Sequence, residues 1–204
     1  MDHSHLAKED YFIAPISQAL AKSLVEQHHY SKGGSNTAVY RHGLFHIDAP
    51  DICLGVAWWL PPTKVAAQSV HDDWRRVLSL TRLVVVPGVP TNGASFLMAR
   101  SIREIQRTGD WTALVTYADE GQGHTGAIYK ATNWTYKGIR PGHAVWVDST
   151  GRHVAKKAGP RTRKNAEMLE LGYTNTGATR KHKFVMYLKA VPRVSAQSDL
   201  GMVA

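Results

Sequence analysis

Apolar positions along the chain follow two different periods, and each change of period marks a new element. Tyr11 to Ile16 is typical of a short strand, and Ser17 is placed to cap a helix whose apolar residues recur at four-residue spacing. Segments 37–45 and 52–60 have the composition of strands, and the second ends at a Pro-Pro pair that cannot continue a strand ladder. We therefore predict a strand, a helix and two further strands in this order.

The middle of the chain alternates between strand and helix patterns. Arg82 to Val86 is dense in β-branched residues, as in a strand covered on both faces. Thr91 or Asn92 can cap the following helix, which ends near Gly109 and carries one apolar stripe: Ala94, Met98, Ile102 and Ile105. A buried strand, 113–117, then leads into a helix with four residues predicted to face the core: Ala127, Ile128, Ala131 and Trp134. This βαβα order predicts a mixed α/β fold with a central sheet flanked by helices.

Length and composition favour one soluble domain. With 204 residues, 43% hydrophobic and 20% charged, the chain can bury a core without disulfides. We predict a single domain over 1–190, closed by a strand at 183–189, and a flexible tail over 191–204. The single cysteine, Cys53, excludes an internal disulfide or a Cys-rich zinc cluster. Since no apolar run approaches the length of a membrane span, we expect a cytoplasmic protein without a membrane partner.

Positive charge is concentrated in the C-terminal third. Between Lys137 and Arg193 there are 13 Lys and Arg residues against three acids, whereas the whole chain has a net charge of +9. Such a concentration favours a polyanion partner, although a solvated surface is the simpler alternative. Gly-Pro within the densest stretch suggests a flexible arm along DNA phosphates, formed by these residues: Arg152, Lys156, Lys157, Arg161, Arg163 and Lys164.

The turn after the valine-rich strand is a candidate phosphate cradle, because free amides at a helix N-terminus attract anions. The order of elements around this turn resembles the GNAT acyltransferase fold, whose pyrophosphate-binding turn lies at the same place. This turn departs from the usual one in having Val89 and Asn92 at two of its key positions. The donor is thus left open between acetyl-CoA and another compound, with these residues predicted to bind it: Val84, Val86, Asn92, Gly93, Ala94 and Ser95.

Asp119 is the strongest candidate for chemistry. It lies just past the C-terminal end of a predicted buried strand, which is the usual rim for sites in open α/β sheets. A carboxylate there can act as a general base or metal ligand, or it can simply cap a turn. His124 and Tyr129 follow closely enough to share a pocket with it.

Two groups of histidines are weaker candidates. His28 and His29 end the first helix and point about 100° apart, so that one can pack while the other reaches a pocket. His42 and His46 fall on one face of the next strand, since strand side chains repeat every two residues.

Three segments together resemble the Mom-type phage DNA-modification proteins, which convert adenine in DNA to an N6-carbamoylmethyl derivative on a GNAT-like scaffold. The matching segments are HHYSKG at 28–33, RLVVVPG at 82–88 and YADEGQGHTGAIYKATNWTYKG at 117–138. This resemblance implies double-stranded DNA as partner and an iron requirement, with a phage-encoded protein acting in the host cytoplasm. It also implies active-site roles for Asp119, Tyr30 and His29, and it makes His29 and Asp119 the candidate metal ligands.

The implied product constrains the chemistry. The new bond joins the exocyclic nitrogen of adenine to a methylene carbon, so simple acetyl transfer cannot form it, and the base must leave the duplex stack. Tyr30, Tyr129 or Trp58 could stack on the extruded base. The alternatives are a GNAT-type N-acetyltransferase acting on a protein or small amine, and a noncatalytic basic DNA-binding protein. The oligomeric state is left open, with a homodimer as one alternative.

Overall fold

The computed structural model of the protein describes residues 5–29, 37–142 and 144–189. They form two compact units, one from residues up to Thr116 and from Val185 onward, the other from Tyr117–Phe184. The helices are α1 (Gln18–His28), α2 (Lys64–Gln68), α3 (Gly93–Thr108), α4 (Ala127–Ala131) and α5 (Asn165–Glu170). The strands are β1 (Tyr11–Pro15), β2 (Tyr40–His46), β3 (Gly55–Leu60), β4 (Val77–Val85), β5 (Ala113–Asp119), β6 (Thr135–Arg140), β7 (Ala144–Val147), β8 (His153–Val154), β9 (Lys157–Ala158), β10 (Arg161–Thr162), β11 (Thr174–Ala178) and β12 (Lys181–Tyr187).

The first unit is built on a mostly antiparallel sheet with the strand order β1-β2-β3-β4-β5-β12. Strands β1 to β4 pair antiparallel, whereas β4 and β5 pair in parallel. Helix α1 packs on one face, where Val25 contacts a core that includes Val56 and Trp58. Helix α3 packs on the opposite face of the sheet, where Ser101 accepts a hydrogen bond from Trp59, the residue that follows Trp58. The predicted mixed α/β sheet flanked by helices is therefore confirmed.

Local signals placed the ends of several elements correctly. Ser17 accepts a hydrogen bond from the backbone N–H of Leu20 and starts α1, and Gly109 ends α3 in the left-handed conformation that glycine adopts without strain. The valine-rich strand is longer than predicted, because it already begins at Val77 rather than at Arg82. Its first residues pair with β5, and this long-range pairing was not visible in the local pattern.

A buried polar contact links the sheet to α3. The hydroxyl oxygen of Ser101 lies 2.6 Å from His42 Nδ1 and accepts a 2.7 Å hydrogen bond from Trp59 Nε1. Burial lowers the pKa of the His42 imidazole below its ordinary value, with Glu104 opposing the shift. His42 thus has a structural role in the core of this unit.

This lowered pKa predicts how stability depends on pH. The unfolded chain binds a proton on residue 42 at a higher pH than the folded protein does, so stability is complete above about pH 6.5 and falls as the pH drops below it. We expect the His42→Gln variant to lose part of this acid sensitivity, by at most the slope that one proton produces. Urea unfolding at a series of pH values from neutral to acidic measures both slopes. The same slope in both proteins would contradict this assignment.

The second unit contains β5-β12-β6 as neighbouring strands, a sheet of β11-β7-β8 and a β9-β10 hairpin. Of these strands, β5 and the closing strand had been predicted, and the closing strand begins at Lys181 rather than Lys183. The prediction of a core-facing helix is wrong: α4 has five residues and no buried side chain, and only Trp134, beyond its end, is buried. The tail over 191–204 lies outside the described residues. None of the helices in the described ranges is long and apolar enough to cross a membrane.

Candidate functional site

Asp119 is the last residue of β5, and the turn that follows holds its side chain in place. One carboxylate oxygen, Oδ1, accepts hydrogen bonds from the Gly121 N–H at 3.0 Å and from the Thr179 hydroxyl at 2.6 Å. The other, Oδ2, has the Lys181 ammonium at 3.6 Å. The side chain is 13% exposed. Asp119 therefore caps a turn through Oδ1 and leaves Oδ2 able to accept a proton or a ligand.

Two glycines permit the close packing around Asp119. A Cβ atom at Gly121 would lie 2.2 Å from Thr179 Cγ2, and one at Gly142 would lie 1.9 Å from the Thr179 carbonyl oxygen. Neither position can carry a side chain while Thr179 stays where it bonds Asp119. The glycine in the Asp-Glu-Gly turn is thus required by the contact that orients the carboxylate.

Glu120, next to Asp119, anchors a row of polar side chains that the sequence analysis missed. Its Oε1 lies 2.9 Å from His182 Nε2, and its Oε2 accepts a 2.8 Å bond from Arg180 Nε. The second ring nitrogen of His182, Nδ1, lies 3.0 Å from the Tyr136 hydroxyl. No local signal could have found this row, since its members come from three separate segments.

The other predicted residues of the second unit have different roles. The His124 N–H donates a 3.2 Å hydrogen bond to the Asp119 carbonyl oxygen. The exposed side chain of His124 therefore lies on the turn that follows Asp119. The Tyr129 ring packs on Phe184, with 5.2 Å between the ring centroids, above Gly126, where a Cβ would collide with the same phenylalanine. The structure thus joins His124 to Asp119 through the backbone and makes Tyr129 a half-buried packing residue.

His29 belongs to the first unit. It is buried after the end of α1, where its N–H bonds to the Val25 carbonyl oxygen at 2.9 Å. Tyr30 lies outside the described residues. Within the described ranges, no three His, Cys, Asp or Glu side chains lie close enough together to hold a metal ion. These residues do not form a set that fits iron, so we derive no step through a metal, and the pair His29 and Asp119 stays a prediction.

The predicted donor site lies on β4 and at the start of α3. Val84 is part of the core beneath α1, and the Val86 N–H is already bonded to the Leu54 carbonyl oxygen at 2.9 Å. The backbone N–H groups of Ala94 and Ser95 have no acceptor among the described residues. These two amides are the part of the predicted cradle that can receive an anion.

Two details of this turn differ from the expectation. The Asn92 side chain does not cap α3; its Oδ1 instead accepts a 2.6 Å hydrogen bond from the N–H of Leu6. A Cβ atom at Gly93 would lie 2.2 Å from Val89 Cγ1, so an aspartate there would disturb the turn as well as add charge. A substitution at Gly93 would therefore change the turn itself and could not serve as a neutral probe of anion binding.

The basic segment is folded, which corrects the prediction of a flexible arm. Residues 152–164 include β8, β9 and β10, and the next residue begins α5. Arg161 forms a 2.7 Å ion pair with Glu167, and Lys156 Nζ donates to Asn165 Oδ1 at 2.7 Å. The Lys164 N–H and the Arg161 charge hold the pKa of the exposed Glu167 carboxyl below its ordinary value. The hairpin therefore presents its cations on a short ordered scaffold.

Lys183 is a second feature that the sequence analysis did not single out. It is only 1% exposed, although it carries an ammonium group. Burial lowers its pKa, and Arg140 and Lys137 add to the effect because like charges disfavour a further cation. The two cations of β6 thus lie close to a buried cation on β12.

Known proteins resemble this chain in sequence. A sequence model of the Mom protein family matches residues 10–199. The protein named methylcarbamoylase mom of Escherichia phage Mu is 26% identical over 160 residues, which cover 73% of this chain and 64% of that protein's length. This chain therefore spans less than two thirds of that relative.

Solved acetyltransferase structures share the fold, including a member of the GNAT family. Arabidopsis thaliana NAA60, in complex with a bisubstrate analogue, aligns with a TM-score of 0.57 at 9% identity, over 89% of this chain and 99% of its own. The Salmonella typhimurium protein yncA, with its cofactor acetyl-CoA, aligns with a TM-score of 0.53 at 11% identity, over 92% and 99%. At these identities the likeness shows the fold, and the predicted GNAT-like fold is confirmed.

Proposed function

Because the chain belongs to the Mom protein family, we propose that it is a transferase that attaches a carbamoylmethyl group to N6 of adenine in DNA. The family match over residues 10–199 carries this proposal, since it contains all three sequence segments that resemble Mom-type proteins. The name of the phage Mu relative, methylcarbamoylase, supports the transfer of a group that contains a carbamoyl unit.

Asp119 is the residue that suits the chemistry best. The adenine amine is a weak nucleophile, so its attack on a methylene carbon is helped by a base that removes a proton. In the proposed step, N6 bonds to the methylene carbon and the bond to the donor's leaving group breaks, with its electron pair going to the leaving group. Asp119 Oδ2 takes the N6 proton. The Gly121 and Thr179 bonds to Oδ1 keep Oδ2 oriented for this task.

The two substrates require different surfaces of the protein. The free amides of Ala94 and Ser95 suit an anionic group on the donor. The folded basic segment 152–164 suits the phosphates of DNA. Extrusion of the adenine would bring its amine within reach of a side chain on the protein.

Nucleoside mass spectrometry of DNA from cells that express the protein tests this function. We expect an adenine nucleoside in which a carbamoylmethyl group replaces one hydrogen, absent from cells with an empty vector. Unmodified DNA together with an acetylated cellular protein or amine would instead support an N-acetyltransferase. If DNA, proteins and amines were all unmodified, the result would support the third alternative, a noncatalytic DNA-binding protein.

A further inference from the structure

Tyr136 is an exposed tyrosine whose ring is held in place by its neighbours. It lies on β6, the outer strand of β5-β12-β6, and is 43% exposed. Its ring contacts Phe184, with 5.3 Å between centroids, and its hydroxyl is held by His182. Most exposed tyrosines keep their rotamer freedom, and ordering them on binding costs free energy. This ring is already ordered, so it can receive a ligand without that cost.

The polar row beneath Tyr136 explains how the ring is held. A carboxylate only accepts hydrogen bonds, so His182 Nε2, at 2.9 Å from Glu120, carries the ring proton. The second ring nitrogen, Nδ1, lies 3.0 Å from the Tyr136 hydroxyl and shares a hydrogen bond with it. Arg180 bonds to the other oxygen of Glu120 and fixes the carboxylate from the far side. The hydroxyl is thus pinned by two successive hydrogen bonds.

One cation contacts this ring, and two more lie on the same strand. Lys130 Nζ lies 5.9 Å from the ring centroid, and β6 itself carries Lys137 and Arg140 without any acidic residue. Across Tyr117–Phe184 the sequence has 12 Lys and Arg residues against five acids, a net charge of +7. Arg140 forms no ion pair with a carboxylate within the described ranges. An ordered aromatic ring among cations is the arrangement that binds an unpaired base together with its phosphates.

We propose that the outer strand β6 binds DNA at an unpaired nucleobase, with Tyr136 as the stacking platform and Lys130, Lys137 and Arg140 as phosphate contacts. This inference rests on the proposed function only in taking DNA as the partner. The proposed surface differs from the basic segment 152–164. Tyr136 also replaces Trp58 as a candidate for stacking on the base. Trp58 is 1% exposed in the core of the first unit and cannot offer its face to a base from outside.

Fluorescent DNA provides the test, with 2-aminopurine opposite an abasic site as the unpaired base and the same duplex fully paired as reference. We expect Tyr136→Leu to weaken binding of the unpaired probe by about tenfold, since one base–aromatic stack is lost, and to change binding of the paired duplex much less. Tyr136→Phe keeps the ring and should bind nearly as the natural protein does. Quenching of 2-aminopurine on binding should fall in the leucine variant alone.

Tyr187→Leu is the matched control, because Tyr187 is also exposed, at 54%, but lies on β12 in the other unit. Equal loss of binding in the two leucine variants, or equal loss on paired and unpaired DNA, would overturn the proposal. So would a Tyr136→Phe variant that loses binding of the unpaired probe as strongly as Tyr136→Leu does, because the aromatic ring would then not be the group that holds the base. Melting curves confirm that each variant is folded. If the DNA of cells that express the natural protein contained no modified adenine, the proposed function would be refuted. The binding result for Tyr136 would still stand.

Discussion

Asp119→Asn is expected to remove modified adenine from cellular DNA while the protein stays folded and binds DNA. The asparagine side chain still offers an oxygen to the Gly121 and Thr179 donors, so the turn keeps its cap and stability should change by about 1 kcal/mol or less. The position of Oδ2 becomes an NH₂ group, which cannot take a proton. Loss of a general base typically costs about 10²- to 10⁴-fold in rate.

The matched control for this variant is Asp148→Asn in the same unit. Asp148 also caps a turn, since its Oδ1 accepts bonds from Thr150 and from the Arg152 N–H, and hydrogen bonds from Thr150 are the main reason that its pKa is lowered. We expect this control to retain modification. Nucleoside mass spectrometry, a melting curve and a DNA titration on the same samples measure the outcome. Near-normal modification in Asp119→Asn would place the active site elsewhere, and loss of bound iron together with activity would make Asp119 a ligand.

Replacing Lys156, Lys157, Arg161 and Arg163 with Ala is expected to weaken DNA binding strongly and flatten its dependence on salt. Each phosphate contact contributes about 0.9 to the slope of log affinity against log salt concentration, because counterions are released from DNA. Four lost contacts would lower the slope by at most about 3.6. The decrease should be smaller if Arg161 and Lys156 keep their bonds to Glu167 and Asn165 instead of binding phosphate.

A control of equal charge separates direct contact from the overall field of the protein. Four exposed cations of the first unit can be replaced together by Ala: Lys8, Lys22, Lys64 and Arg103. Both variants lose four positive charges, but only the first loses residues of the proposed DNA surface. Fluorescence anisotropy with duplex DNA at several salt concentrations gives both slopes. If the two slopes fall equally, the segment 152–164 is a solvated surface rather than a binding site.

Much of the first unit could be predicted from the sequence, because local chemistry specifies it. The serine before α1 satisfies an amide of the first helical turn, and a glycine that tolerates left-handed geometry ends α3 at residue 109. The valine-rich segment became part of strand β4, although Val84 is its one fully buried residue and the others are half-buried. Asp119 was placed correctly at the end of β5, since the apolar run stops there.

Other features were misjudged where a local pattern had two structural solutions. The apolar residues around Ala127 and Ile128 fit a helical stripe, yet the helix is a single short turn and only Trp134 reaches the interior. Asn92 is a residue type that often caps helices, but its side chain instead accepts a hydrogen bond from the backbone N–H of Leu6. The basic segment has the glycine and proline of a loop, and strand pairing nonetheless orders it.

The α/β order, the likeness to Mom-type proteins and the position of Asp119 could be predicted from the sequence, because they depend on residues that are neighbours in the chain. The surroundings of these residues depend on long-range contacts, which appear only in the folded structure. Thr179, 60 residues away, orients the Asp119 carboxylate, and His182, 46 residues from Tyr136, fixes its hydroxyl. Such contacts arise from the pairing of distant strands, whose register no local pattern records. A hydrogen bond between distant side chains exists only once that register is set.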